Sequence, residues 1–182
     1  AAGFKILIRE LEYDQLKNEK IDYLHVNIPE KSNKQFVNAV VKTIREIQPK
    51  LTIVNSSTTP GTVRKIYKEV KLPIVHSPVI GLHPNLYDSI KNHFKKIIGP
   101  IDEVSNKLAK KHLKDLGLET VSYSSPEDSE AAKLLDLVYF AWNIVYCKWV
   151  KETCEDMGLN FNDVYTKHNE IVTKDYSLGI CL

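Results

Sequence analysis

Short apolar runs that alternate with helical patterns are the feature that most constrains this fold. Between residues 22 and 124, runs such as "DYLHVNIP", "LTIV" and "IVHSPV" are separated by longer stretches with apolar residues at helical spacing. Strands and helices that alternate in this way predict βαβ units and a mainly parallel sheet. "LTIV" is apolar throughout, which is typical of a strand covered on both faces. Because crossovers between parallel strands are nearly always right-handed, the pattern predicts a Rossmann-like α/β fold.

Three helices of this predicted α/β domain have recognisable boundaries. The first covers Asn33–Ile47, where apolar side chains recur at helical spacing. For the second, Thr59 is the expected N-cap and Pro60 the first helical residue, ahead of "GTVRKIYKEV". The third is an amphipathic helix over 101–116. With further strands at "FKKIIG" and "LETVSYS", we assign residues 1–124 to one Rossmann-like domain.

Residues 125–182 form a second predicted segment, which is helical. "SPEDSEAAKLLDLVYFAWNIVYCKWVKETCEDMG" begins with a serine cap, a proline and acidic residues, and it ends at a glycine. Its middle is apolar almost all the way round, so we expect it to be buried on several sides. Since a domain of this size rarely surrounds such a helix, we predict a homodimer formed through helix 126–157. A last short helix is predicted at "NFNDVYTKHNEIV".

Composition and charge argue against several classes of protein. The net charge is +2, and acidic residues are interleaved with the lysines, so we predict no nucleic-acid partner. The longest apolar stretch, 137–147, is shorter than the roughly 18 residues of a membrane span, so we predict no membrane association. The three cysteines share no metal-ligand spacing, which predicts reduced thiols, no metal site and a cytoplasmic protein.

The stretch "IVNSSTTPGTV", residues 53–63, is the first candidate site. Its polar residues follow a strand, at the end of the sheet where ligands bind in open α/β folds. The hydroxyl groups and the N-terminus of the next helix could hold an anion or a carbonyl oxygen. Alternatively, Thr59 only caps the helix while Ser56 and Ser57 form a turn. The glycine-rich GxGxxG loop that binds a dinucleotide pyrophosphate does not occur in the sequence.

Lys133 and two histidines are further candidates. Lys133 lies near the start of the long helix, three residues after Glu130, and a partly buried lysine suits general acid/base chemistry. The alternative is an exposed pair between Lys133 and Glu130. His76 and His83 flank a loop broken by proline and glycine, where binding residues concentrate. Alternatively, His76 is a core or strand-end histidine and His83 an ordinary loop residue.

These segments, in this order and spacing, resemble the UDP-glucose/GDP-mannose dehydrogenase family. The resemblance covers about residues 22–164 and rests on "NSSTTPGTV", on the Ser-Pro that follows "IVH", and on the Glu-x-x-Lys that opens the long helix. It implies an NAD-dependent enzyme that oxidises the alcohol of a nucleotide-sugar to a carboxylate. The matching part would be the second half of the NAD domain and the central helical domain.

The resemblance implies a catalytic role for three residues. Lys133 falls on the active-site lysine beside the oxyanion that forms during oxidation, and Glu130 falls on the acidic residue before it. Ser57 falls on a threonine near the nicotinamide and the catalytic water, whereas a one-residue shift of the match would put Thr58 there.

Other residues are implied to contact ligands. Pro29, Ser56 and Thr58 fall where the family contacts NAD. Ser77, in the Ser-Pro motif, and His83 are implied to contact the substrate, which would be a nucleotide-sugar.

The chain also departs from the family pattern. Val79 stands where the family has the glutamate of Ser-Pro-Glu, and Leu137 stands where an asparagine follows the lysine. The catalytic cysteine motif is at most echoed by Gly179 and Cys181. We therefore expect a truncated or divergent dehydrogenase that does not complete the reaction alone. The alternatives are a non-enzymatic dimeric scaffold or small-ligand-binding module, and a relative of the 6-phosphogluconate/hydroxyacid dehydrogenases.

Overall fold

The computed structural model describes residues 3–10, 12–16, 19–81 and 84–175, with the side chains of 173–175 excepted. It divides into two compact units, Ala1–Leu134 and Leu135–Leu182. The first unit contains the sheet and the first turns of the long helix. The second contains the rest of that helix and the helical segments that follow it.

The elements alternate along the chain as the sequence predicts. The strands are β1 (Tyr23–Val26), β2 (Leu51–Val54), β3 (Ile74–His76), β4 (Lys96–Pro100) and β5 (Thr120–Ser122). The helices are α1 (Asn33–Ile47), α2 (Thr62–Val70), α3 (Leu86–Asp88), α4 (Glu103–Asp115), α5 (Pro126–Asp156) and α6 (His168–Asp175). Two π-helical segments, Ser89–His93 and Asn162–Lys167, follow α3 and precede α6.

The sheet of the first unit is mainly parallel, which confirms the predicted fold class. Its strand order is β1-β2-β3-β4-β5 within the described residues. The pairs β1/β2, β2/β3 and β4/β5 are parallel, whereas β4 runs antiparallel to β3, with His76 opposite Gly99. Because the two strands are antiparallel, β4 begins at the end of the sheet where β3 finishes. Their connection is therefore not a crossover from one end of the sheet to the other.

Two apolar cores cover the two faces of the sheet. One core joins β1, β2 and β3 to α1 and α2, and its buried residues are Val26, Phe36, Val40, Val41, Ile44, Val54, Val63, Ile66 and Ile74. The other joins the sheet to α4 through Leu51, Ile53, Val75, Ile98, Ala109 and Leu113. Because β2 contributes to both cores, the expectation that "LTIV" is covered on both faces is confirmed. Such two-sided cover is typical of parallel sheets.

Helix boundaries follow local signals except at α2. The predicted span of α1 is confirmed, and Ser125 accepts a hydrogen bond from the N–H of Asp128 at the start of α5 (3.2 Å). The prediction that Thr59 caps α2 is wrong, because the helix begins at Thr62 after Gly61, whose φ of +89° is left-handed. Thr59 is held elsewhere, by the carboxylate of Glu30 (2.6 Å).

The described part of the second unit is helical except for the turn at residues 157–160. The later turns of α5 end before Gly158, whose positive φ of +67° lets the chain turn away. Leu159 donates its N–H to the carbonyl oxygen of Cys154 (2.8 Å), which closes this helix end. Among the described residues, no helix combines the length and the apolar character that crossing a bilayer would require.

Candidate functional site

The carboxyl ends of β1, β2 and β3 lie at the same edge of the sheet, because these three strands are parallel. The loop 55–61 follows β2 at this edge and donates hydrogen bonds to Glu130, in the first turns of α5. Ser129, also in α5, is hydrogen-bonded to His76 of β3. Most of the residues singled out from the sequence therefore lie together, within the first unit.

Glu130 is the centre of this arrangement. Its side chain is fully buried and accepts three hydrogen bonds, from the N–H groups of Gly61 (2.6 Å) and Val63 (2.9 Å) and from the hydroxyl of Thr58 (3.1 Å). The first N–H groups of a helix have no partner within that helix, and a carboxylate is favoured there. Glu130 thus caps α2 from another helix. It is not half of an exposed pair with Lys133.

Glu30 holds the outer side of the same loop. Its carboxylate accepts hydrogen bonds from the N–H (3.1 Å) and the hydroxyl (2.6 Å) of Thr59 and from the side-chain amide of Asn33 (3.0 Å). The N–H groups of Thr59, Gly61 and Val63 are therefore all bonded to carboxylates of the chain itself. The hypothesis that this helix N-terminus binds an external anion is not supported at these three groups.

Two opposing effects set the pKa of Glu130, its burial and its hydrogen bonds. Burial raises the pKa of Glu130 to about 7, because the charged form is poorly solvated. The hydrogen bonds from Val63, Gly61 and Thr58 act in the opposite direction and lower the pKa. The carboxyl group therefore titrates near neutral pH.

His76 connects the end of β3 to two other elements. Its Nε2 lies 3.0 Å from the carbonyl oxygen of Ser56, and its Nδ1 lies 2.8 Å from the hydroxyl of Ser129. A carbonyl can only accept, so Nε2 carries the proton and Nδ1 accepts from Ser129. Burial lowers the pKa of His76 to about 4, so the ring stays neutral. The alternative in which His76 is a buried strand-end histidine is therefore confirmed.

Exposure differs among the loop residues predicted to act in catalysis or to contact NAD. Ser57 is exposed, as is Pro29. The hydroxyl of Ser56, in contrast, donates to the carbonyl oxygen of Ile28 (2.6 Å), and Thr58 is 1% exposed. Of the three consecutive residues 56–58, Ser57 is therefore the exposed one.

Lys133 lies one helical turn after Glu130 and is partly exposed. Its ammonium group interacts with that of Lys96, at the start of β4. Lys96 donates hydrogen bonds to the carbonyl oxygens of Ser77 (2.8 Å) and Pro78 (2.9 Å). The hydroxyl of Ser77 is fully buried and donates to the carbonyl oxygen of Ile97 (2.6 Å). Lys96 therefore lies against the Ser-Pro motif, and the charge of Lys133 acts on Lys96.

Glu30 and Lys96 are the site residues that sequence reasoning missed. Glu30 follows the first predicted strand, and an acidic residue at the carboxyl end of a sheet is only weak evidence of a site. Lys96 opens the apolar run "KIIG", and a charged side chain at the start of a central strand could have indicated a functional residue. Two predicted residues, His83 and Cys181, lie outside the described residues. No group of three metal-ligating side chains occurs in the described part of the chain.

The chain is similar to known proteins both in sequence and in structure. No family model matches the chain. The UDP-N-acetyl-D-mannosamine dehydrogenase of Methanocaldococcus jannaschii is 24% identical over an alignment of 161 positions, and the match covers 80% of this chain and 38% of that protein. The chain therefore spans well under half the length of this relative.

Solved structures with a similar fold include other enzymes named as UDP-N-acetyl-mannosamine dehydrogenases. The UDP-N-acetyl-mannosamine dehydrogenase of Staphylococcus aureus has a TM-score of 0.69 at 18% identity, and the match covers 89% of this chain and 44% of that one. The corresponding enzyme of Pyrococcus horikoshii has a TM-score of 0.72 at 16% identity, with 82% and 40% covered. The resemblance to nucleotide-sugar dehydrogenases that the sequence indicated is thus confirmed over most of the chain.

Proposed function

We propose that this chain forms part of an NAD-dependent nucleotide-sugar dehydrogenase. The observation that carries the proposal is the arrangement of Glu130 and Lys133 at the start of α5. Glu130 fixes the loop 55–61 at the carboxyl end of the sheet, and Lys133 follows one turn later on the same helix. Together with the resemblance to enzymes named for UDP-sugars, this supports a remnant active site rather than an ordinary turn.

In this proposal each residue has a distinct task. Lys133 stabilises the oxyanion of the sugar alcohol as it is oxidised and exchanges its proton. Ser57 presents an exposed hydroxyl toward the reacting atoms, whereas Glu130 is a positioning residue that holds the loop. Ser77 and His83 remain proposed contacts of the nucleotide-sugar. The hydroxyl of Ser77 is bonded to Ile97, so its contact would have to come from its backbone.

The described residues fit NAD only in part. NAD would supply the hydride acceptor, and Ser57 with the exposed Pro29 could face its nicotinamide end. The pyrophosphate is not accommodated here, because the N–H groups of Thr59, Gly61 and Val63 are bonded to Glu30 and Glu130. Ser56 and Thr58, predicted to contact NAD, have their hydroxyls bonded within the chain. Tight binding of NAD by these residues alone is therefore not expected.

Calorimetry with NAD and with UDP-glucose or UDP-N-acetyl-D-mannosamine tests the proposal. We expect weak but saturable binding of NAD and saturable binding of the UDP-sugar. Lys133→Ala should weaken binding of the UDP-sugar by about tenfold, which corresponds to the loss of one charged hydrogen bond. Lys151→Ala, an exposed lysine later on the same helix, is the matched control and should bind as the wild type does. If neither ligand binds to a folded protein, the dehydrogenase proposal is wrong and a dimeric scaffold takes its place.

We also propose that the chain forms a homodimer through α5 and is cytoplasmic. The support for the dimer is a stripe of exposed apolar side chains on the second unit, Leu135, Val138, Trp142, Val145 and Trp149, each 58–69% exposed. These residues are spaced alternately three and four apart, as on helices that pack against a partner helix. Cys147 and Cys154 are free thiols, which is consistent with a reducing compartment.

A further inference from the structure

The ammonium group of Lys96 joins the start of β4 to the segment that follows β3. Since β4 runs antiparallel to β3, its first residue lies at the edge of the sheet where β3 ends. Lys96 donates hydrogen bonds there to the carbonyl oxygens of Ser77 (2.8 Å) and Pro78 (2.9 Å). In open α/β sheets, ligands bind at the carboxyl ends of the parallel strands, which is this edge.

The two carbonyl groups orient the ammonium and leave one of its donors unused. A lysine ammonium has three N–H donors, arranged tetrahedrally about the nitrogen. Two of them are bonded to Ser77 and Pro78, and the described residues provide no acceptor for the third. Because Lys96 is partly exposed, the third N–H group is available to an acceptor from outside the chain.

The positive charge of Lys96 has no counterion among the described residues. The carboxylate of Glu119, on the segment that leads into β5, pairs with Lys95 instead (3.5 Å). The four residues that follow Lys96 in β4 are buried, so an apolar residue would suit the start of this strand better. An ammonium that is partly withdrawn from water is unfavourable unless it is paired. A residue that opposes its local surroundings in this way is expected at a functional site.

We propose that Lys96 binds an anionic oxygen of a ligand, from a carboxylate or a phosphate group, through its third N–H. The ligand supplies the counterion that the chain does not, and the carbonyls of Ser77 and Pro78 hold the ammonium in place for it. Charged hydrogen bonds of this kind are among the stronger ones in proteins. The proposal concerns binding alone, so it does not depend on NAD or on oxidation of a sugar.

NMR of the full ¹⁵N-labelled chain, near pH 6, tests the proposal at the lysine Nζ atoms. The ligands are inorganic phosphate, acetate, UDP-glucose and UDP-glucuronate, each added at constant ionic strength. We expect the Nζ resonance of Lys96 to shift saturably, and that of Lys95 to stay unchanged. A response to phosphate and both UDP-sugars, but not to acetate, identifies a phosphate ligand. A response to acetate and UDP-glucuronate, but not to UDP-glucose, identifies a carboxylate.

Two variants separate the charge of Lys96 from its role in packing. Lys96→Met keeps an apolar side chain of similar length without the ammonium, and it should weaken binding of the responding ligand by about tenfold or more. The affinity is followed at the backbone amide of Ser77. Lys95→Met is the matched control and should bind as the wild type does, because Lys95 pairs with Glu119.

Three outcomes would overturn the proposal. One is the absence of a saturable shift at Lys96 with all four ligands, and another is an equal shift at Lys95 and Lys96. The third is an unchanged affinity in Lys96→Met. If that variant does not fold, the titration of the wild type still decides the question, because it observes the ammonium of Lys96 directly.

Discussion

At the scale of single residues, Glu130 is the side chain on which the loop between β2 and α2 depends. Glu130→Ala would leave the N–H groups of Gly61 and Val63 and the hydroxyl of Thr58 without their acceptor. Each buried group left unpaired costs about 1–3 kcal/mol, so we predict that the free energy of unfolding falls by about 3 kcal/mol or more. Urea denaturation at pH 8 measures it.

The control for Glu130 is Glu127, in the same turn of α5. Glu127 pairs with Arg64 at a partly exposed position, and such pairs contribute less than about 1 kcal/mol. Glu127→Ala should therefore have a small effect. Similar losses of stability in the two variants would show that the buried hydrogen bonds of Glu130 are not what stabilises the loop.

His76 makes stability depend on pH in a predictable direction. Its pKa is about 4 in the folded chain and 6.5 as the ordinary value, so between these limits the unfolded state binds more protons. The free energy of unfolding therefore falls as pH is lowered from 6.5 to 4, by about 3 kcal/mol at 1.4 kcal/mol per pKa unit. The free energy of unfolding of the wild type, minus that of His76→Gln, should fall by this amount as the pH is lowered over that range.

Comparison with the variant is needed because Glu130 acts with the opposite sign. Its raised pKa makes the folded state bind more protons between pH 4.5 and about 7, so its contribution to stability falls as pH rises. The difference in free energy of unfolding between the wild type and His76→Gln isolates the contribution of His76. A flat difference for His76→Gln would contradict the buried neutral ring.

At the scale of elements, Gly99 sets the distance between β4 and the start of α5. A Cβ atom at Gly99 would lie 2.5 Å from Cβ of Ser129, 2.9 Å from the carbonyl oxygen of Ser125 and 3.0 Å from Cα of Pro126. These contacts are too short, so Gly99→Ala must push α5 away from the sheet. We predict a loss of about 1–3 kcal/mol in the free energy of unfolding.

Amide hydrogen exchange distinguishes this effect from general destabilisation. If α5 moves, Glu130 moves with it, and the N–H groups of Gly61 and Val63 should exchange faster in Gly99→Ala. Gly117→Ala is the matched control, since Gly117 has a φ of +77° and nothing near its Cβ position. Its free energy of unfolding should fall by about 1–2 kcal/mol, because alanine is strained in the left-handed conformation. The exchange rate of the Gly61 amide should not change relative to those of other amides. Unchanged exchange in Gly99→Ala would contradict the coupling.

The elements themselves could largely be predicted from the sequence. The span of α1 and the capped start of α5 follow from apolar spacing and capping residues, which act within a few positions along the chain. The start of α2 could not be predicted, because Thr59 has the chemistry of a cap but bonds to Glu30, 29 residues away in sequence. The direction of β4 also depends on how a long connection packs, which no local pattern reports.

At the scale of the whole molecule, the apolar stripe on α5 should decide whether the chain is a dimer. Val138→Glu combined with Val145→Glu places two charges in the stripe, and burying them against a second copy would be unfavourable. We predict a dimer for the wild type and a monomer for the double variant, measured by light scattering. Lys151→Glu, on the opposite side of the helix, should remain dimeric. A wild-type monomer at high concentration would contradict the proposal.

The sequence by itself determined the order of strands and helices, the placement of Glu130 and Lys133 one turn apart, and the resemblance to nucleotide-sugar dehydrogenases. These depend on periodicity and spacing, which are local properties of the chain. Only the tertiary structure decided that Glu130 occupies the N-terminus of α2, and that the charge of Lys133 acts on Lys96. The reason is physical: which carboxylate reaches an unpaired N–H group, and which two charges meet, depends on the packing of elements distant in sequence.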